Sequence, residues 1–243
     1  MTTINADMKE LEEFIQNVYW GNHLTKDEKK KNLEEGLVNI EVYTLYSEEG
    51  DLVQETSQSQ GLLLTKNGYI LMTAHGLGYK KHLVKEIRII TKTGEYPLEK
   101  ICFCEGIKDT ALIKADMQGP DKARIYSIFN TTNMQNQLGT WMRLKDKEIH
   151  VHECVVSNRY LDTHAYDSKN NRFIELQNVL LTYGVSCEGD SGSILSTVDS
   201  DIIGMVVASC GKQIMMIMPM DSTLNLLAKY IHDNALEITE KHP

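Results

Sequence analysis

Apolar residues change their spacing twice along the chain. From Asn5 to Trp20, the residues Met8, Leu11, Phe14, Ile15 and Val18 recur at three- and four-residue steps with acidic residues in the first turns, which predicts an amphipathic helix. A lysine-rich helix follows from Thr25 to about Glu35: Thr25 is a good N-cap with Glu28 three residues on, and Gly36 marks the stop. After Gly36 the texture becomes short runs of Val, Ile, Leu, Tyr and Thr between turn signals such as Glu49-Gly50, Asn67-Gly68 and Thr93-Gly94. These predict strands over Leu37–Tyr46, Gly61–Thr65, Tyr69–Thr73, Ile87–Thr91, Ile101–Cys104 and Ala111–Lys114. Six more are predicted over Gly139–Leu144, His150–Ser157, Val179–Tyr183, Ile194–Thr197, Ile202–Ser209 and Gln213–Pro219. From Ser222 to Leu236 the pattern is helical again, with Leu224, Leu227, Ile231 and Leu236 on one face behind an Asp221-Ser222 cap. Many short strands at near-regular spacing make the chain all-β, a barrel or a sandwich, with helices at both ends. No internal repeat or low-complexity linker interrupts it.

Composition narrows the function classes. With 243 residues and 42% hydrophobic residues, a sizeable core forms, as one large β unit or two small lobes. A net charge of -9 disfavours a polyanion, so nucleic acid is set aside as a partner. No stretch approaches the roughly 20 apolar residues a membrane helix needs, so no membrane association is expected. Met1 to Glu13 is charged where a signal peptide is apolar. Five cysteines, an odd number, do not form a dense disulfide pattern, so the expected compartment is reducing and cytoplasmic. Export by a leaderless route, or into a host cell, stays open.

The strongest chemical signal is Cys187-Glu188-Gly189-Asp190-Ser191-Gly192-Ser193, set between an apolar run and a strand. Acyl transfer needs a serine hydroxyl on a tight turn, with two backbone N–H groups converging where the carbonyl oxygen becomes negative. Here the N–H groups of Gly189 and Ser191 are the candidate donors of that oxyanion hole. The same residues also suit a glycine-rich turn with no chemistry. Two further places favour the chemical reading. His75 stands just past the strand ending Met72-Thr73-Ala74, and Asp109 opens the strand Thr110-Ala111-Leu112-Ile113. Singly, a histidine at a strand end or an aspartate before a strand is ordinary. Their chain order, histidine then aspartate then serine, separates the set from subtilisin-like and α/β-hydrolase enzymes.

These motifs resemble the trypsin-like serine peptidases of the chymotrypsin fold, in Thr73-Ala74-His75 and Gly189-Asp190-Ser191-Gly192. The run Gly61 to His75 and Asp109-Thr110-Ala111-Leu112-Ile113 are most similar to the bacterial high-temperature-requirement branch, without a PDZ-like segment after the last helix. The resemblance spans roughly Leu37 to Tyr230 in layout. It implies two packed six-stranded antiparallel β-barrels with the active site between them, divided here as residues 37–125 (with His75 and Asp109) and 126–220 (with Ser191). Residues 1–36 form an N-terminal helical appendage, and 221–243 a C-terminal helix and tail. It also implies a serine endopeptidase: Ser191 attacks, His75 takes and returns the proton, Asp109 orients the histidine, an acyl-enzyme forms, and no metal or cofactor is needed.

Departures from the family pattern shape further expectations. Ser193 replaces a glycine, a small residue in either case. No Ile-Val-Gly-Gly segment precedes the first strand, so Asp190 is expected to find another donor than a freshly cut amino terminus. Control is then expected from a ligand or a protein partner, with the N-terminal helices as one possible docking element, although plain packing of those helices is the stronger expectation. Val185, six before the serine, stands at the pocket base and is not acidic, which gives no support to cleavage after Lys or Arg. Ser186, Val207, Ala208 and Ser209 complete the implied substrate pocket. Cys187 and Cys210 match a pocket-flanking disulfide of secreted relatives, against which free thiols are favoured. Cys102 and Cys104 are expected on one strand face, and His150 and His152 on a solvated one. A protein or peptide is the implied substrate. The competing reading from another class is a catalytically silent trypsin-fold binding module.

Overall fold

The computed structural model describes residues 6–48, 51–77, 83–119, 122–167, 172–186 and 189–240. Two helices, α1 (Ala6–Trp20) and α2 (Lys26–Gly36), open the chain. Thr25 caps α2 as its sequence predicts: its hydroxyl accepts from the N–H of Glu28 and the Glu28 carboxylate accepts from the N–H of Thr25, a reciprocal capping box. Strands β1 (Leu37–Glu48), β2 (Asp51–Leu63), β3 (Tyr69–Thr73), β4 (Leu83–Ile90), β5 (Glu95–Glu105) and β6 (Thr110–Ala115) follow. They close into an antiparallel barrel in the order β1-β2-β3-β6-β5-β4. Next come β7 (Gln137–Lys145), β8 (Glu148–Asp167), β9 (Arg172–Tyr183), β10 (Ile194–Thr197), β11 (Ile202–Cys210) and β12 (Ile214–Pro219). Their barrel order is β7-β8-β9-β12-β11-β10, the first barrel's order shifted by six strands. Closure leaves neither sheet with a free edge. The topology thus repeats where the sequence does not.

Burial explains why some strands read as unbroken apolar runs. All five residues of β3 are buried. Ile70 and Met72 point into the first barrel with Val38, Ile40 and Ile113. Tyr69 and Leu71 point out, into a seam cluster with Leu62, Leu64 and Leu112 that also takes Met142, Leu144, Ile194 and Met205 from the second barrel. A strand covered on both faces has no polar side to alternate with. The second barrel is filled by Trp141, Val156, Leu180, Leu195, Ile203 and Ile217. A smaller cluster packs the extended β8–β9 hairpin, through Leu161, Leu176 and Val179, on Val207 and Met218.

The terminal helices complete the seam. Leu11, Phe14 and Leu33 join it with Met220, Leu227 and Ile231 of α3 (Met220–Glu240) and with Tyr126, whose ring meets Phe14 edge-on. Polar ties reach both barrels: the Asn67 amide donates to the Glu10 carboxylate at 2.6 Å, and the Lys29 ammonium pairs with Asp201 at 2.7 Å. Among the described residues no helix is long and apolar enough to cross a membrane.

Three local expectations are corrected. Helix α3 starts at Met220, so Asp221 lies in its first turn and accepts from the hydroxyl of Thr131 at 2.6 Å instead of serving as the cap. A register shift between Ile101 and Phe103 breaks the alternation of β5, so Cys102 packs on the seam while Cys104 is exposed. His152 is not solvated on an open face; its ring stacks on Trp141 with centroids 4.1 Å apart.

Truncating the fully buried Phe14 to alanine removes a seam contact that both barrels share. Phe14→Ala is expected to lower the unfolding free energy by about 3–5 kcal/mol in urea titrations, while Lys31→Ala on the exposed side of α2 stays within about 0.5 kcal/mol.

Candidate active site

The ends of β3 and β6 lie side by side, with Thr73 opposite Thr110 in register, and this brings His75 and Asp109 together. His75 begins a short 3₁₀ turn just past β3. The N–H of Ala74 donates to the carbonyl of Asp109 at 3.1 Å, and the N–H of His75 donates to Asp109 Oδ1 at 2.9 Å. The other carboxylate oxygen, Oδ2, lies 2.5 Å from Nδ1 of the His75 ring. Asp109 is 2% exposed and holds a φ of +44°, a left-handed conformation that aspartate tolerates better than most residues. A buried carboxylate on Nδ1 fixes the proton there, which leaves Nε2 as an acceptor. That nitrogen is 3.0 Å from the hydroxyl of Ser191.

Ser191 belongs to a loop between β9 and β10 that is clamped from two sides. Toward β11, the N–H of Gly192 donates to the carbonyl of Val206 at 2.7 Å, and the N–H of Val206 donates back to Ser193 at 2.9 Å. Toward β2, the N–H of Gln60 donates to the carbonyl of Ser191 at 2.7 Å. Gly192 has a φ of +87°, and a Cβ there would lie 1.8 Å from the Gln60 carbonyl oxygen, so only glycine fits. Gly189 also has a φ of +87°. Among the described residues neither the N–H of Gly189 nor that of Ser191 donates to another group.

Asp190, buried between these two amides, meets the donor that the missing Ile-Val segment called for: Nη1 of Arg143 donates to its carboxylate at 2.6 Å. Arg143 comes from β7 and lies beside Trp141, its guanidinium carbon 5.9 Å from the ring centroid. His152 stacks on the same Trp141 ring, and its pKa lies below the ordinary 6.5 because of burial first and the Arg143 charge second, with Asp190 opposing. The side chain of Gln60 ties the same region to the first barrel. Its carbonyl accepts from the N–H of Leu144 at 2.8 Å and its amide donates to Asn39 at 3.0 Å.

Gln60 and Arg143 were not singled out by sequence. The signal for Arg143 was a cation inside the apolar run Trp141-Met142-Arg143-Leu144; nothing local marks Gln60. Of the implied pocket residues, Val185 and Ser209 are exposed, Ala208 is half-buried and Ser186 is buried. Val207 is buried against Leu176, Val179 and Met218, which turns its side chain to the β8–β9 hairpin. Cys210 is a free, exposed thiol, and Cys187 lies outside the described residues. Among the described residues no group of three or more His, Cys, Asp or Glu side chains is disposed to hold a metal ion.

No family model matches this chain, and no curated protein matches it. Its structure is similar to that of the HtrA-type protease AlgW with a decapeptide, with a TM-score of 0.64 over 87% of this chain and 69% of the other. It is also similar to the Rv3671c protease from M. tuberculosis in its active form, with a TM-score of 0.62 over 83% of each chain. Sequence identity is 12% in both cases. The chain therefore has a trypsin-like protease fold related to that of HtrA protease domains.

Arg143→Met takes the guanidinium away from the buried Asp190 carboxylate, and breaking a buried pair by removing one partner costs about 3–5 kcal/mol. The expected result is a lower urea midpoint together with a rise in the His152 midpoint toward 6.5 in an NMR titration, since the repelling cation is gone. In the parent protein that midpoint lies below 6.5. His152 is then protonated more readily in the unfolded chain, so the stability it contributes is full above pH 6.5 and is lost as pH falls through the folded value.

Proposed function

We propose that this protein is a serine endopeptidase that cleaves protein or peptide substrates through Ser191, His75 and Asp109. The observation that carries the reading is the unbroken chain of contacts from a buried carboxylate through the imidazole to the hydroxyl, 2.5 Å and then 3.0 Å. Nε2 of His75 accepts the hydroxyl proton as the Ser191 oxygen attacks the scissile carbonyl carbon. The carbonyl π electrons move onto oxygen, and the N–H groups of Gly189 and Ser191 stabilise that charge. Collapse breaks the C–N bond, with the imidazolium proton going to the leaving amine, and an acyl-enzyme remains on Ser191. Water then enters, gives its proton to His75, and releases the acid while Ser191 recovers its proton. Asp109 keeps the working tautomer and stabilises the imidazolium.

The internal Arg143–Asp190 pair supports activity without a new amino terminus, with control by a ligand or partner in place of digestive-type zymogen cleavage. Val185, at the implied pocket base, is not acidic, which supports uncharged side chains before the cut.

A fluorophosphonate probe tests the reading. It is expected to label the parent protein and not Ser191→Ala, and Asp109→Asn is expected to lower kcat by about 10⁴-fold by allowing the wrong tautomer. If the parent protein resists labelling and hydrolyses no peptide even in a lysate, the silent binding module becomes the better description.

A further inference from the structure

Strand β2 runs between the two halves of the site. Gln60 bonds the Ser191 carbonyl. Next to it, Ser59 lies against the histidine turn, where a Cβ on Gly76 would be 2.8 Å from its hydroxyl. Gln58, one residue further out and exposed, faces the loop's first glycine: a Cβ on Gly189 would be 3.8 Å from the Cβ of Gln58. The opposite flank of the loop is β11, the strand that carries Val207 to Ser209. If the acyl half of a substrate lies along β11, its amine half leaves past His75 Nε2 and over β2.

Glu41 waits on that exit path. It sits directly across from Gln58 on β1, and among the described residues its two carboxylate oxygens accept from neutral donors, the Gln58 amide at 3.0 Å and the Tyr43 hydroxyl at 2.6 Å. The carboxylate shifts its neighbour accordingly, holding the Tyr43 phenol above its ordinary pKa. The nearest register partner on β4 is Arg88, but its guanidinium is taken by Glu86, at 2.6 and 3.1 Å, and lies over the Tyr43 ring. Among the described residues no cation pairs with Glu41. The Gln58 amide donates to Glu41, and its carbonyl oxygen accepts from no described group. The exit path is thus lined by a half-buried negative charge and a neutral acceptor, both open to a group that only donates.

We propose that Glu41 and Gln58 select a lysine or arginine side chain within the first two residues after the scissile bond, which makes the preferred substrates proteins with basic segments on the leaving side. This rests on the peptidase reading above. Lys and Arg carry donors and a positive charge and no acceptor, so they satisfy both groups at once, whereas Asp or Glu meets two acceptors and a like charge. The net charge of -9 draws basic segments toward the protein at long range.

The test uses the full chain and a peptide library with a fixed acyl side, randomised at the two positions after the cut and read by mass spectrometry of the products. A small ester with no residue beyond its leaving alcohol gauges the triad in each variant and normalises the counts. The parent protein is expected to cleave Lys- and Arg-containing members roughly tenfold faster than Asp- and Glu-containing ones, in the range of a charge-assisted pair at a partly exposed site. Glu41→Gln is expected to flatten that ratio and Glu41→Lys to invert it, with Gln58→Met giving a smaller loss. A parent protein with no basic preference, or a preference that survives Glu41→Lys, overturns the proposal. Failure of ester hydrolysis and of Ser191-dependent labelling in the parent protein instead strikes the peptidase reading and takes this proposal with it.

Discussion

The N–H of Gln60 donates to the carbonyl of Ser191 across 2.7 Å, and through that bond the first barrel sets the position of a loop that belongs to the second. The bond is tight enough to forbid any side chain at Gly192. The same glutamine reaches sideways to the N–H of Leu144 and back to Asn39, so one buried residue touches β1, β7 and the serine loop. His75 and Asp109 are built wholly within the first barrel, and Ser191 wholly within the second. A 3.0 Å contact between imidazole and hydroxyl therefore depends on how the barrels are docked. Apolar packing at the seam supplies the area, but it is non-directional. Hydrogen bonds such as those of Gln60 supply the register.

The charge in the serine loop obeys the same logic. An aspartate 2% exposed is costly unless paired, and Arg143 provides the pair from a strand whose adjacent residues, Met142 and Leu144, face the seam between the barrels. Because Asp190 lies between Gly189 and Ser191, the ion pair also restrains the backbone that carries those two amides.

Much of this was legible in the sequence. Each of the twelve expected strands overlaps a strand of the structure, and Tyr69–Thr73 and Ile194–Thr197 match residue for residue. The misses have one cause. Residues 53–58 of β2 and the outer parts of β8 and β9 are half-exposed ladders such as Gln54-Glu55-Thr56-Ser57-Gln58, which pair well yet carry little apolar signal. The site divides similarly. His75, Asp109 and Ser191 stand in local motifs, and the fold brings them together. Gln60, Arg143, Gln58 and Glu41 draw their significance from partners on other strands, which a single sequence does not display.

The helices at the back of the molecule carry a consequence for biosynthesis. Leu11, Phe14 and Leu33 leave the ribosome well before much of the surface that covers them, Tyr126, Met220, Leu227 and Ile231. Until those residues follow, the greasy stripes lack part of their native cover. Closing that cluster requires residues from both barrels and from α3, so the docking of the barrels that joins the two halves of the cleft is a whole-chain event.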